Sequence, residues 1–258
     1  LKPEPASTSD FYIGTELVHF AHARNWKSYV AAKIAPWISG AVLEVGAGIG
    51  GNTATFQTKE VRRWVALEPD PTQAGAVLDK QARGELPSMI EIVCGAIDAI
   101  PLEDRFDAII YADVLEHIKD DAAELRRAAG LLAPNGKLIV LSPAHQFLFS
   151  PFDAAIGHYR RYNRDTLLAA GPSCCALVNV LMLDAAGLFL SLANRLITRS
   201  KMPTPRQIQI WDRLFVPISR SLDRLTGFRF GKSILAVWRL EPIKRADAAR
   251  HQDDQREA

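Results

Sequence analysis

Cysteine, methionine, long apolar runs and any excess of charge are all scarce in this chain. Three cysteines (Cys94, Cys174 and Cys175) in 258 residues are too few for a disulfide framework, and no CxxC pair points to a redox or metal motif. The vicinal pair Cys174–Cys175 sits among apolar residues and is expected to be buried as free thiols, which fits a reducing compartment. The longest apolar stretch, about residues 176–190, is interrupted by Asn179 and Asp184. A membrane span needs about 20 mostly apolar residues, so this segment does not supply one. The first ten residues, LKPEPASTSD, lack the apolar centre of an export signal. With 31 Lys and Arg against 29 Asp and Glu, the net charge of +2 offers no footprint for nucleic acid. These absences lead to the expectation of a soluble, cytoplasmic protein with no nucleic-acid partner.

What is present is an ordinary globular composition, 48% apolar and 23% charged, long enough for one large core. Helical spacing of Leu17, Phe20, Ala21, Trp26, Tyr29 and Val30 predicts a helical lid over about residues 11–37. Short apolar runs then alternate with helical patterns. Strands are expected at 41–45, 64–67, 90–93, 106–111 and 137–141, with helices at 71–83 and 120–132. Such alternation argues for a parallel sheet covered on both faces. Further strands are expected at 177–183 and 233–238, separated by two helical segments, about 185–198 and 206–225, that read as a cover. The expected organisation is a single domain over residues 1–240, with a cofactor-binding core at about 40–142. An acceptor loop follows at 143–165, the helical cover at about 185–228, and a polar tail at 241–258.

The chemistry concentrates where strands end. Glu44-Val45-Gly46-Ala47-Gly48-Ile49-Gly50-Gly51 is a glycine turn after the first strand, where backbone approaches a ligand that any Cβ would strike. Taken alone the turn is ambiguous. Gly46, Gly48 and Gly51 also satisfy the dinucleotide fingerprint, and Glu68 stands 20 residues after Gly48, where a ribose-binding acid is expected. An NAD-dependent oxidoreductase is therefore one reading. Against it, Glu44 suits a ligand bearing an ammonium and a sulfonium and would repel a pyrophosphate. Two more polar punctuations follow, Gly95-Ala96-Ile97-Asp98 after the third strand and Asp113-Val114-Leu115-Glu116-His117 after the fourth.

In order and spacing, VLEVGAGIG, ALEPD, GAIDAIP, FDAIIYADVLEH and LLAPNGKLIVLS resemble the five motifs of the class I S-adenosylmethionine-dependent methyltransferases. The resemblance covers about residues 40–142 and, more loosely, the chain to 240. It implies a Rossmann-like, doubly wound α/β fold: a mostly parallel seven-stranded sheet with an antiparallel last strand, an N-terminal lid and a helical cover inserted before that strand. It also implies that S-adenosylmethionine is the co-substrate. Gly46, Gly48 and Gly50 would pass along the methionine part, with Glu44 at the strand end. Glu68 would accept the ribose hydroxyls, and Ile97 and Asp98 would meet adenine. Asp113 and Val114 would close the site, and Trp26 belongs to the lid. No HxxxH or carboxylate pair suggests a metal, and none is expected. A cofactor-binding module without catalysis is the remaining alternative.

A methyl acceptor would lie just past the fifth strand. There SPAHQFLFSPFD and GHYRRY form an irregular polar and aromatic stretch, the kind of loop that carries function. His145 is the first candidate for contact with a small-molecule acceptor or for a general base, and His158 the second, although either could instead lock the loop. Arg160 and Arg161 could meet an anionic acceptor or pair with Asp153. The segment SPFDAAIGHYRRYNRDTL resembles a bacterial subgroup without a settled substrate, and a lipid-linked or sugar-bearing acceptor is one expectation. In helix 206–225, Arg206, Arg213 and Arg220 recur every seven residues. Ile210, Trp211, Leu214, Ile218, Leu222 and Leu225 make an apolar face. That face could pack on the domain, which is the expectation, or lie in the interface of a membrane as a peripheral contact.

Overall fold

The computed structural model describes residues 20, 22–193, 195 and 204–241. The lid expected before residue 20 and the polar tail from 242 lie outside the described residues, as do Asn194 and 196–203 of the cover.

Every expected strand forms, and most extend by one to three residues. They are β1 (Gly40–Val45), β2 (Val61–Glu68), β3 (Ile90–Cys94), β4 (Phe106–Ala112), β5 (Leu132–Pro143), β6 (Cys175–Leu183) and β7 (Ser233–Leu240). They make one sheet in the order β3-β2-β1-β4-β5-β7-β6. The first five strands run parallel, and β7 is antiparallel to both of its neighbours.

Side chains alternate between the two faces, as the pleat requires. Leu43, Val45, Val65, Leu67, Ile109, Tyr111, Leu138 and Val140 pack on one side with α4 (Asp121–Gly130) and α6 (Arg164–Ala170). On the other side Val42, Trp64, Ala66, Ala108, Ile110 and Leu141 pack with α1 (Arg24–Ile34) and α3 (Pro71–Ala82). The result is three layers with the strand order reversing between β1 and β4. Open α/β sheets bind ligands at the carboxyl ends flanking such a reversal.

Local chemistry explains where helices start. The Asp70 carboxylate accepts from the Thr72 and Gln73 amides at the head of α3, with Pro71 in its first turn. Asp120 does the same for α4 through the Ala123 amide. The acceptor loop has more helix than its pattern predicts. A short α5 (Pro151–Ala155) begins at a reciprocal cap between Ser150 and Asp153, and a 3₁₀ turn spans Gln146–Leu148. At five residues, α5 shows no periodicity that a sequence could display.

Two expectations are corrected. Cys174 is exposed and Cys175 is only half-buried, because β6 lies at the sheet edge. The cover packs only part of its expected apolar face: Trp211 and Leu222 are half-buried, while the rest of the stripe turns away from the domain. It comprises α7 (Ala185–Ala193), α8 (Pro205–Ile210), a π-helical turn (Trp211–Phe215) and α9 (Val216–Leu225). Ile210, Leu214, Ile218 and Leu225 face outward, whereas Asp212, Ser219 and Asp223 are buried. The acids go inward because they terminate other elements. Asp212 accepts from the Asn25 and Trp26 amides at the start of α1, and Asp223 accepts from the Asp184 and Ala185 amides before α7. Pro217, which lacks an N–H, follows the π turn, which takes up the displaced hydrogen bonding without a break. Among the described residues no helix is long and apolar enough to cross a membrane.

Candidate active site

The turn after β1 is built to admit a ligand. Gly46 has φ +70°, and a Cβ there would lie 2.5 Å from Val114 Cγ2, so Val114 packs directly against bare backbone. Gly48 also takes a positive φ, and its amide donates to Glu68 Oε2 at 2.7 Å. Beneath the turn lies Glu44, 2% exposed, whose Oε2 accepts from Thr53 Oγ1 at 2.7 Å and Trp64 Nε1 at 3.1 Å. Burial pushes the Glu44 carboxyl up to about 7, against the pull of those two hydrogen bonds. Glu44 thus braces the turn from inside, and an acid there disfavours a pyrophosphate above it.

Beside this turn lie the edges that the resemblance assigns to adenosine and to methionine. Glu68 ends β2, with Oε1 taking the Asp70 amide at 3.0 Å. A carboxylate has about four lone-pair directions, so two remain for hydroxyls. Ile97 is buried as a platform, while the Asp98 side chain is exposed beside it.

The methionine edge leads into a cavity of about 260 Å³. Its walls include Trp26, Lys27, Gly46, Gly48, Asp113, Glu116, His117, Asp153, His158, Arg161, Trp211 and Lys232. The residues come from six separate segments, brought together because β1, β4, β5 and β7 are neighbours in the sheet. Pro143 at the end of β5 pairs with Ser233 at the start of β7, which sets Lys232 beside the acceptor loop.

Asp153 organises the far wall. Its Oδ1 meets His158 Nδ1 at 3.0 Å and accepts from Arg161 Nε at 2.8 Å; its Oδ2 accepts from Arg161 Nη2 at 3.0 Å and from the Ser150 amide and hydroxyl. Burial alone would raise this carboxyl, but the hydrogen bonds from His158 and Arg161 hold it well below the usual carboxylate range. An ionised Asp153 fixes the proton of His158 on Nδ1, leaving Nε2 as the basic nitrogen. Nε2 lies 3.9 Å from Glu116 Oε1 and is not hydrogen-bonded to it.

Glu116 is itself 1% exposed, with its other oxygen accepting from Ser142 Oγ at 3.0 Å. Burial and the neighbouring Asp113 push the Glu116 carboxyl well above its ordinary value. Asp113, whose surface opens on the cavity, is raised by desolvation to about 6 while His158 and Lys232 pull it down. Desolvation lowers His117 to about 4, so that ring is neutral. The His117 and His158 rings meet edge to face at 4.5 Å. Ligand atoms of Glu116, His117 and His158 all lie within 4.8 Å of one another, a grouping with room for a divalent cation that the sequence spacing did not suggest.

A roof covers part of the cavity. Asp212 holds α1 by its first amides, Tyr29 donates to Asp223 at 2.7 Å, and Arg220 Nη2 donates to the Asn25 carbonyl at 2.7 Å. The lid and the cover are therefore one clamp. Trp26 and Trp211 face each other at 5.7 Å under it, and a Cβ on Gly51 would lie 2.7 Å from Lys27 Nζ.

Of the residues singled out from sequence, Trp26, Gly46, Gly48, Asp113 and His158 line the cavity; Gly50, Glu68, Ile97, Asp98 and Val114 surround the turn and the adenosine edge. Glu44 is enclosed below the turn. His145 stands apart: it takes φ +68°, its Nε2 bonds the Gly231 carbonyl at 2.9 Å, and its ring packs on Phe147 at 5.1 Å. It is absent from the cavity wall, so the structure gives its ring a loop-locking place. The residues not foreseen there are Lys27, Trp211 and Lys232, each carried by an element whose position depends on tertiary packing. Asp153 was foreseen only as a partner for arginine.

Residues 43–140 match the family model described as a methyltransferase domain. Among curated proteins, the chain is 31% identical over 99 residues to a ubiquinone biosynthesis O-methyltransferase of Rhodopseudomonas palustris (strain HaA2), which is 38% of each chain. It is 30% identical over 164 residues to the protein of that name from Xanthomonas campestris pv. campestris (strain B100), covering 54% of this chain and 65% of that one. The chain thus spans about two-fifths to two-thirds of the length of these relatives. Among solved structures it is similar to N-methyltransferase NodS from Bradyrhizobium japonicum WM9 in complex with S-adenosyl-L-homocysteine. That match has TM-score 0.53 and 15% identity, and covers 86% of this chain and 89% of that one. It is also similar to the [4+2]-cyclase SpnF, with TM-score 0.60 and 14% identity over 94% of this chain and 98% of that one. A cyclase on the same fold means that the fold alone does not name the reaction.

Proposed function

Because residues 43–140 are a class I S-adenosylmethionine-dependent methyltransferase domain, we propose that the protein methylates a hydroxyl oxygen of a small-molecule acceptor, with His158 as general base. The observation that carries this reading is the pair Asp153–His158, which presents Nε2 to the cavity beside the glycine turn. A hydroxyl needs a proton acceptor as its oxygen attacks, and an oriented imidazole is suited to that task. The cofactor supplies a methyl group on a sulfonium, already activated for displacement. His158 takes the proton from the attacking oxygen, while Trp26, Trp211 and the clamp above them exclude water and align the partners. Glu68 and the glycine turn hold the adenosine and methionine parts, and Lys27 stands where the cofactor's carboxylate would lie.

Calorimetry and mass spectrometry test this together. The protein should bind S-adenosylhomocysteine and not NAD, and isotopically labelled S-adenosylmethionine should label an oxygen of a compound from a pool of hydroxylated metabolites. Binding of NAD in place of S-adenosylhomocysteine would restore the oxidoreductase reading. Cofactor binding without any labelled product from such pools would favour a non-catalytic module.

The outward stripe of the cover supports a further part of this reading, that the acceptor is lipid-linked and met at a membrane surface. Ile210, Leu214, Ile218 and Leu225 are each more than two-fifths exposed, and Arg206, Arg213 and Arg224 are exposed on the same helical run. An apolar stripe flanked by arginines matches an anionic bilayer interface. The protein should sediment with phosphatidylglycerol vesicles at low salt, and Leu214→Glu should lower the bound fraction about tenfold, the scale of removing one buried leucine. Equal sedimentation of wild type and variant would remove the membrane part and leave the methyltransferase reading intact.

A further inference from the structure

We infer that Arg161 and Lys232 form an anchor for an acidic group of the methyl acceptor, a carboxylate or a phosphate, beside the hydroxyl that is methylated. The inference rests on the methyltransferase reading for the word acceptor, but its geometry stands on this cavity alone.

Four enclosed side-chain polar atoms lack a hydrogen-bond partner among the described residues: Thr58 Oγ1, Arg127 Nε, Arg161 Nη1 and Arg220 Nε. Only Arg161 belongs to the cavity wall. Its Nε and Nη2 are committed to Asp153, so the remaining edge of the guanidinium points away from that carboxylate with its donors unused. An unmet buried donor is costly, and the cost is removed when a ligand supplies the acceptor.

Lys232 adds a second cation to the cavity wall, just before β7. Its ammonium has a Trp211 ring at 5.2 Å and no hydrogen bond among the described residues. Burial lowers its pKa against the attraction of Asp184, and Arg161 lowers it further. Two cations that repel each other therefore share one wall.

The carboxylates nearby do not use up this capacity. Asp153 is filled by His158, Arg161 and Ser150. Asp184 is filled by Trp211 Nε1, Ser219 Oγ and the Gly187 amide. Glu116 accepts from Ser142, and burial raises its carboxyl; Asp113 attracts Lys232 across the cavity but makes no hydrogen bond to it or to Arg161 among the described residues. An anion brought between Arg161 and Lys232 completes the wall, and arginine is suited to carboxylate and phosphate alike. Arg161 Nε and His158 Nδ1 share one oxygen, Asp153 Oδ1, so the anchor and the base are adjacent. The acceptor should then carry its hydroxyl and its carboxylate or phosphate close together.

The test is calorimetry with benzoate, phenyl phosphate and neutral benzamide, each titrated into the protein with and without saturating S-adenosylhomocysteine. At least one anion should bind about tenfold or more tightly than benzamide, as a charge-assisted pair does. Which anion binds more tightly separates a carboxylate from a phosphate source. Lys232→Met should lose that preference, bind S-adenosylhomocysteine as wild type does, and melt no lower, because it removes a desolvated charge. Arg161→Gln gives a second variant with the same expected loss. Benzamide binding as tightly as both anions, no anion binding at all, or wild-type anion affinity in both variants would overturn the anchor. Failure to bind S-adenosylhomocysteine would instead overturn the methyltransferase reading, and the anion titrations of the free protein would still decide the anchor.

Discussion

Replacing His158 by alanine tests the proposed chemistry most directly. The ring lies on the cavity wall, nine-tenths buried, with Nδ1 fixed by Asp153, and among the described residues it makes no other side-chain hydrogen bond. Its loss should therefore leave the glycine turn, Glu68 and the clamp in place, so that S-adenosylhomocysteine affinity stays within about twofold, the tolerance expected for a site with no shared partners. A positioned general base contributes roughly 10²- to 10⁴-fold, so kcat should fall by that range, about 3–5 kcal/mol at the transition state. KM for the acceptor should change little if the anion anchor carries the binding. The pH profile separates a base from a spacer. Without His158, only acceptor already ionised in solution reacts, so the variant's rate should rise about tenfold per pH unit until the acceptor's own pKa. Single-turnover rates with labelled cofactor between pH 6 and 10 give both readouts. A variant within threefold of wild type at neutral pH, with the same profile, would refute the assignment of the base.

Three other outcomes are expected. Glu44 has its folded pKa raised to about 7, so the native state binds a proton that the unfolded state releases near 4.5, and stability falls as pH rises between those values, by about 3 kcal/mol in full. Glu44→Gln should flatten that fall in urea titrations run from pH 5 to 8; an unchanged slope would remove Glu44 as its source. Asp212→Ala removes the acceptor for two amides at the start of α1, at a cost of about 1–2 kcal/mol, and should loosen the clamp, seen as faster amide exchange at Asn25 and Trp26 and weaker S-adenosylhomocysteine binding. Exchange unchanged from wild type would show that α1 is held by packing alone. Treatment with EDTA should leave methyl transfer unchanged; a loss restored by Zn²⁺ would recast Glu116, His117 and His158 as metal ligands.

Much of this was legible in one dimension. The strand runs and the glycine turn are local signals, since pleat alternation and φ > 0 at Gly46 and Gly48 depend on neighbours in sequence. The five spaced motifs that resemble class I methyltransferases carried the cofactor with them, because each motif ends a strand and the sheet gathers strand ends at one edge. The sequence ranked His145 ahead of His158, and the packing reverses their access to the cavity. His145 follows β5 more closely, yet the Gly231 carbonyl, 86 residues on, captures its ring, while α5 swings His158 back onto Asp153.

The cover shows the same division. Its amphipathic pattern is real in the sequence, but pattern alone has no inside or outside. Tertiary structure decided the direction, because Asp212 and Asp223 are needed to satisfy backbone amides at the starts of α1 and α7, and a buried unmet amide costs more than an exposed leucine. By itself the sequence determined the strands of the sheet and the glycine turn. Only the packed chain decided which imidazole faces the cavity, which cations share its wall and which face of the cover meets solvent, because each depends on partners supplied by distant segments.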